Sequence, residues 1–128
     1  MQTLKQIRKK VKELSKIIDA PKHSIPTFGY SEQSGLPHIE ITETEYHFVV
    51  CERKTEYERK KTADLNEILF WIFDSMTFSI ACRLELQNRK GDEDFRIQAF
   101  QIQEDLISKI DPEFSMRLKI KHDKLLRK

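Results

Sequence analysis

Residues 64 to 82, DLNEILFWIFDSMTFSIAC, constrain this chain more than any other stretch. Charged residues make up 34% of the protein, yet this stretch is its most apolar part. A membrane-spanning helix needs about twenty predominantly apolar residues. The unbroken apolar run is six, Ile68 to Phe73, and Asp74, Ser75, Thr77 and Ser79 interrupt the residues after it. The run therefore predicts no membrane anchor. It also has no ligands at useful spacing for a cofactor. A helix apolar on most sides in a water-soluble chain is a central core helix, and residues 64 to about 88 are expected to form it. Asp64 with Glu67 three residues on has the spacing of a capping box. Asp74, midway along a buried helix, must be paired or reach water. It is expected to serve as a structural partner for an arginine such as Arg96 or Arg83, with a binding or catalytic acid as the alternative.

The rest of the chain arranges itself around that helix. Leu4, Ile7, Val11, Leu14 and Ile17/Ile18 recur at helical spacing, with lysines and arginines opposite. This predicts a basic amphipathic helix over 1–22, starting at Thr3 and stopping before Pro21. Residues 20–37, with three prolines and two glycines, read as mostly loop. The period then changes to two over 38–61. His38 to Thr42, the β-branched and aromatic run YHFVVCER from Tyr46, and the charged run from Glu56 to Lys61 predict a three-stranded antiparallel meander. Strict alternation in the last strand puts Glu56, Glu58 and Lys60 opposite Tyr57, Arg59 and Lys61, a charge density suited to a sheet edge. Gly91 breaks the helical part, and Asp92 or Glu93 opens a further helix with Phe95, Ala99, Ile102, Leu106 and Ile110 on one face. Asp111-Pro112-Glu113 starts a last helix, anchored by Phe114, Leu118 and Leu125. The fold class expected is α+β in one domain over 1–128: a helix, the meander, and a helical part over 64–127 containing three helices.

Charge and motifs bound the chemistry. Residues 1–22 carry seven Lys/Arg against two acids and 109–128 seven against three; residues 23–108 carry nine against sixteen. The balances of +5, +4 and −7 sum to the net +2. The simplest meaning is solvated outer faces on terminal helices. The functional alternative is a basic face for nucleic acid or an acidic one for a basic partner. Glu40, Glu43, Glu45, Glu52, Glu56 and Glu58 crowd the two hairpins and form the candidate partner-binding set. Nucleic acid is disfavoured, because the sheet is acid-rich and lacks an aromatic stacking pattern. No Cys/His spacing suits a metal, no glycine-rich phosphate loop exists, and no catalytic constellation emerges. His47 and Cys51 share a strand face, but four strand residues span roughly 13 Å, too far for a nucleophile and its base. Without an apolar leader in the first twenty residues, Cys51 and Cys82 are expected as free thiols in a reducing cytoplasm.

Two runs carry a resemblance. TADLNEILFWIFDSMTFSIAC and LELQNRKGDEDFRIQAFQIQEDLISKIDPEF resemble the bacterial immunity protein 63 family through Trp71, Phe73, Asp74, Phe78, Asp94, Phe95, Arg96, Phe100, Gln103 and Pro112. The resemblance covers about residues 46–128 and leaves the first 45 outside it. It implies neutralisation of one cognate polymorphic toxin by stoichiometric binding in the cytoplasm, with no catalysis and no cofactor. Of the residues that carry it, Asp94 and Arg96 could hold an interhelical turn or touch a partner. A helix this apolar is also compatible with a homodimer. The other classes left open are a nucleic-acid-associated or regulatory module using the basic first helix, and an enzyme without a legible site.

Overall fold

The computed structural model describes residues 1–89, 91–92 and 94–127. It contains four α-helices and a four-stranded mixed sheet, in the order α1 (Leu4–Ile17), a 3-10 turn (Lys22–Ser24), β1 (Thr27–Phe28), β2 (Ser34–Ile41), β3 (Tyr46–Glu52), β4 (Thr55–Thr62), α2 (Leu65–Gln87), α3 (Phe95–Ser108) and α4 (Pro112–Leu126). Two compact units divide the chain, Met1–Ile72 and Phe73–Lys128, and α2 contributes to both.

In the first unit, Thr3 caps α1 in a reciprocal box with Gln6, which satisfies amide groups a helix start leaves free. Ile7 and Val11 are fully buried on its inner face. The sheet order is β1-β2-β3-β4, antiparallel except for the β1–β2 pair. The meander expected over 38–61 is thus present, but two features correct it. The segment read as loop supplies β1, two residues parallel to β2, and β2 starts at Ser34 rather than His38. Pro37 argues against such an early start, yet the strand accommodates it. It lies beside an irregularity in the β2–β3 register, just before the His38 position where β1 begins to pair, so its missing N–H costs no ladder bond on that side. The second correction concerns β4. Val50 faces Glu58 while Cys51 faces Glu56, leaving Tyr57 as an extra residue. This bulge turns Glu56 onto the side of Arg59 and away from Glu58, overriding strict alternation.

The β3–β4 turn is tight. Glu52 pairs with Thr55 across Arg53 and Lys54, both at positive φ, 50° and 67°. That is the geometry of a type I′ turn, usually built from Asn-Gly. The neighbouring Gln33 supports it: its backbone oxygen accepts from Arg53 N, and its Oε1 accepts from Lys54 N at 2.6 Å.

Helix α2 is capped by Asp64, whose Oδ1 accepts from Asn66 N at 2.8 Å. By length and composition it would suffice to cross a membrane, but half of its most apolar window is buried within the fold. Ile68, Phe73, Thr77 and Ala81 are fully buried, and Met76 is 2% exposed. The core reading of the run therefore stands, while Phe78 is 41% exposed. In the second unit, α3 starts one or two residues later than expected, with Asp94 rather than Asp92 or Glu93 as its cap; Glu93 lies outside the described residues. The buried face of α3 is Ala99, Phe100, Gln103 and Ile107. The predicted stripe is displaced, leaving Phe95 42% exposed. On α4, Asp111 and Pro112 start the helix as expected, and Phe114, Leu118 and His122 form the inner stripe. Leu125, an expected anchor, is exposed instead.

Candidate functional sites

Three arrangements could carry function: a charge network on one face of the sheet, a polar chain through the helical unit, and a basic groove beside α1.

The sheet network takes up part of the acidic set. The register puts His38, Glu40, His47, Val49, Arg59 and, through the bulge, Glu56 on one face. Arg59 reaches Glu40 at 3.1 Å, Glu56 at 2.7 Å and His47 Nδ1 at 2.7 Å. A guanidinium only donates, so His47 Nδ1 accepts and its proton sits on Nε2. His38 Nε2 lies 2.6 Å from Glu40 Oε2 and donates to it, while the buried His38 Nδ1 has no partner among the described residues. The His38 hydrogen bond, with Arg59 adding to it, holds the Glu40 carboxyl below the usual carboxylate range against a smaller desolvation effect. Arg59 does the same to Glu56, and the two acids push the Arg59 guanidinium further up.

The six candidate acids are therefore not one patch. Glu40 and Glu56 are bound to Arg59. Glu58 lies on the other face, where Lys60 is 4.0 Å away. Glu43 and Glu45 sit by the turn joining β2 to β3, whereas Glu52 is at the far end of the seven-residue β3, roughly 20 Å away at strand spacing. Lys60 also extends its ammonium over the rings of Phe48 and Trp71, 4.8 and 4.9 Å from their centroids, which gives Trp71 a packing role within the first unit.

In the helical unit Asp74 is paired, but not with an arginine. Its Oδ2 lies 2.6 Å from Lys121 Nζ, and its Oδ1 and backbone oxygen accept from Gln103 Nε2 at 2.8 and 2.9 Å. Arg96 pairs instead with Asp94 at 2.8 Å. Because both Asp74 oxygens only accept, the Gln103 amide nitrogen must face them, so Gln103 Oε1 faces His122. His122 Nε2 then donates across 3.0 Å. The other ring nitrogen lies 2.6 Å from Glu104 Oε2, a contact that requires a proton between them. The ring stacks on Phe100, 3.8 Å between centroids and 3° from parallel. Lys121, Asp74, Gln103, His122 and Glu104 thus form a continuous polar chain. Gln103 is fully buried and His122 is 3% exposed. Sequence reasoning missed His122, although it follows Phe114 and Leu118 at intervals of four.

Asp94 and Arg96 hold the start of α3. Asp94 Oδ1 accepts from Arg96 N, and the Arg96 guanidinium reaches on to the backbone oxygen of Leu125 at 3.3 Å. Arg89 pairs with the buried Glu85 at 2.8 Å and lies over the Phe95 ring. Both cysteines are unpaired with one another; burial, then Glu85, pushes the Cys82 thiol up. Among the described residues no cluster of three His, Cys, Asp or Glu side chains could hold a metal ion.

The groove lies between α1 and residues 22–36, with a volume of about 470 Å³. Arg8, Lys12, Lys22 and His23 line it together with Ile25, Phe28, Tyr30 and Leu36; Glu32 is the acid in the lining. Its walls are fixed. Gly29, at φ 89°, donates its N–H to Ile39 O at 2.7 Å, and a Cβ there would stand 3.0 Å from Leu4 Cδ2 of α1. Thr27 Oγ1 donates to the Tyr30 carbonyl oxygen.

Residues 42–124 match the model of a protein family described as immunity protein 63. The match takes in β3, β4, α2, α3 and nearly all of α4, and leaves α1 and the groove outside it. Comparison with curated proteins and with solved structures finds no match.

Proposed function

The chain belongs to the immunity protein 63 family, and from that premise we propose that it binds and neutralises a cognate polymorphic toxin in the cytoplasm, as a stoichiometric inhibitor without catalysis. The match over 42–124 is the observation that carries this reading. The polar clusters agree with it. Asp74, Asp94, Arg96 and Glu40 each have protein partners that satisfy them, so their simplest role is to specify the fold that presents a binding surface. Glu43, Glu45, Glu52 and Glu58 stand outside the Arg59 network, and in this reading they steer a basic region of the toxin towards the hairpins by long-range attraction.

The experiment is co-expression with the toxin domain encoded beside this chain, followed by co-purification and a growth assay. One-to-one recovery with restored growth is the expected outcome. Growth arrest unrelieved by this chain, with no complex on size exclusion, would overturn the reading.

A further inference from the structure

We propose that the groove between α1 and residues 22–36 is the docking site for an acidic, aromatic-containing segment of the protein partner. The inference rests on the toxin-binding reading for the identity of that partner, but not for the chemistry of the groove. Arg8, Lys12 and Lys22 bring three cations to its walls; none of them forms an ion pair among the described residues. Phe28 and Leu36 add apolar lining, and Tyr30, which also lines the groove, is 60% exposed. Cations beside apolar lining suit carboxylates that flank an aromatic or aliphatic side chain: the charges pair, and the apolar side chain is covered by the lining. The volume falls within the roughly 300–1,000 Å³ of sites that hold a small ligand, space for a few side chains rather than a folded domain.

Two further observations sharpen this. The loop that lines the groove is tied down within the chain, by the Gly29 to Ile39 hydrogen bond and the Thr27 to Tyr30 hydrogen bond. A preformed site loses less entropy on binding. The groove also lies wholly outside the family match at 42–124, in a part of the chain where partner specificity can reside. A nucleic acid suits the site less well. The lining sets three cations, with the apolar Phe28 and Leu36, beside one acid, Glu32, which suits a short segment with a few carboxylates better than a strand with a phosphate at every residue.

The test uses the full chain and two charge-reversal pairs on exposed positions: Arg8→Glu with Lys12→Glu in the groove, and Lys119→Glu with Lys124→Glu on α4 as a control of equal charge. The probe is a random copolymer of glutamate and tyrosine, followed by amide chemical shifts and fluorescence anisotropy. Shifts are expected at residues lining the groove. The groove pair should weaken copolymer binding at least about tenfold, and the control pair less than threefold, because local contacts outweigh net charge. Shifts confined to other surfaces, or equal losses in both pairs, would overturn the proposal, as would a poly-dT oligonucleotide displacing the copolymer at lower concentration. The same variants are then titrated with the toxin. A wild-type complex that the groove pair leaves within twofold would sink the proposal and spare the immunity reading. A wild-type chain that binds no toxin would sink that reading, and the copolymer result would still decide the groove.

Discussion

Replacing Gln103 tests whether the polar chain through the helical unit is structural. Gln103 is fully buried, donates to two oxygens of Asp74, and accepts from His122. Gln103→Leu keeps the approximate volume and removes all three bonds. It strands the N–H of His122 in a site 3% exposed, which costs about 1–3 kcal/mol. The bond to the Asp74 carboxylate, being charge-assisted, is worth about 1.5–3 kcal/mol. Asp74 keeps Lys121 and has some access to water, so that loss falls at the lower end. Leucine returns about 1 kcal/mol of apolar burial. The net expectation is a loss of about 3 kcal/mol, or roughly 10 °C in melting temperature for a chain of this size. Urea unfolding at pH 7 measures it. Gln101→Leu is the control. Gln101 lies on the exposed side of the same helix and bonds only to Asp105 among the described residues, at 3.0 Å, and its loss should stay within about 0.5 kcal/mol.

A second substitution separates hydrogen bonding from packing. Gln103→Glu preserves shape but points a carboxylate at Asp74 Oδ1. It should destabilise as much as leucine at pH 7 and recover as pH falls, because only the protonated acid can donate to Asp74. That is the sign expected of a carboxyl whose folded-state pKa is raised: its stabilising form is present at low pH and lost on the way up. A Gln103→Leu loss under 0.5 kcal/mol, or a Gln103→Glu variant as stable as wild type at pH 7, would refute the reasoning.

The other predictions concern the first unit. Glu40 is held below its ordinary value of 4.5, so its contribution is present above that pH and lost as pH falls through the lower folded value. Glu40→Gln should cost about 1 kcal/mol at neutral pH, a figure kept small because the side chain is 38% exposed, and the gap to wild type should close in acid; a gap unchanged down to pH 2 in chemical denaturation would contradict the assignment. Arg53→Asn with Lys54→Gly, placing preferred residues at both positive-φ positions, should raise stability by about 1 kcal/mol, and a fall in melting temperature would show that the native side chains do more than turn the chain. Glu43, Glu45, Glu52 and Glu58 changed together to Lys should slow toxin association about tenfold at low ionic strength; stopped-flow rates unchanged at low salt would remove these residues from the encounter.

What could be read from the sequence depended on how much of the physics is local. The Thr3 cap, the Asp111-Pro112 start and the helix from Leu65 rest on adjacent residues, and they form where expected. The acid-Phe-Arg pattern at 94–96 was also local. The misses are long-range. A two-residue strand is recognisable only beside the strand it pairs with, so Thr27–Phe28 read as loop. The Tyr57 bulge, which sends Glu56 to Arg59, is decided by the register across β3. Gln103 carries part of the resemblance, but its core position and that of His122 were hidden by their polarity. Each occupies a core position because the other end of its hydrogen bonds, 29 and 19 residues away, is also buried or nearly so. An apolar periodicity cannot show a core position that is satisfied by a distant partner.

Residues inside and outside the family match differ in how freely they can change. Asp74, Gln103, His122 and Glu104 are all within 42–124, and all four bond to one another in a chain. Residues tied this way cannot change singly without leaving a buried group unpaired. On the proposed toxin-binding function, a chain that follows the changing surface of one toxin has little freedom there. Residues 8–36 are in the opposite situation. Arg8, Lys12, Lys22 and Tyr30 are exposed, while Ile7 and Val11 on the inner face of α1 are fully buried. Exposed side chains on such a support can be exchanged at little cost to stability, typically within about 0.5 kcal/mol. Partner specificity is then expected to reside outside the part of the chain that matches the family, and exchanging residues 8–36 between two such proteins should transfer toxin preference while leaving the helical unit's stability unchanged. Preference that instead followed residues 42–124 in the exchange would place recognition on the sheet and helices, and assign the basic groove a role in solubility alone.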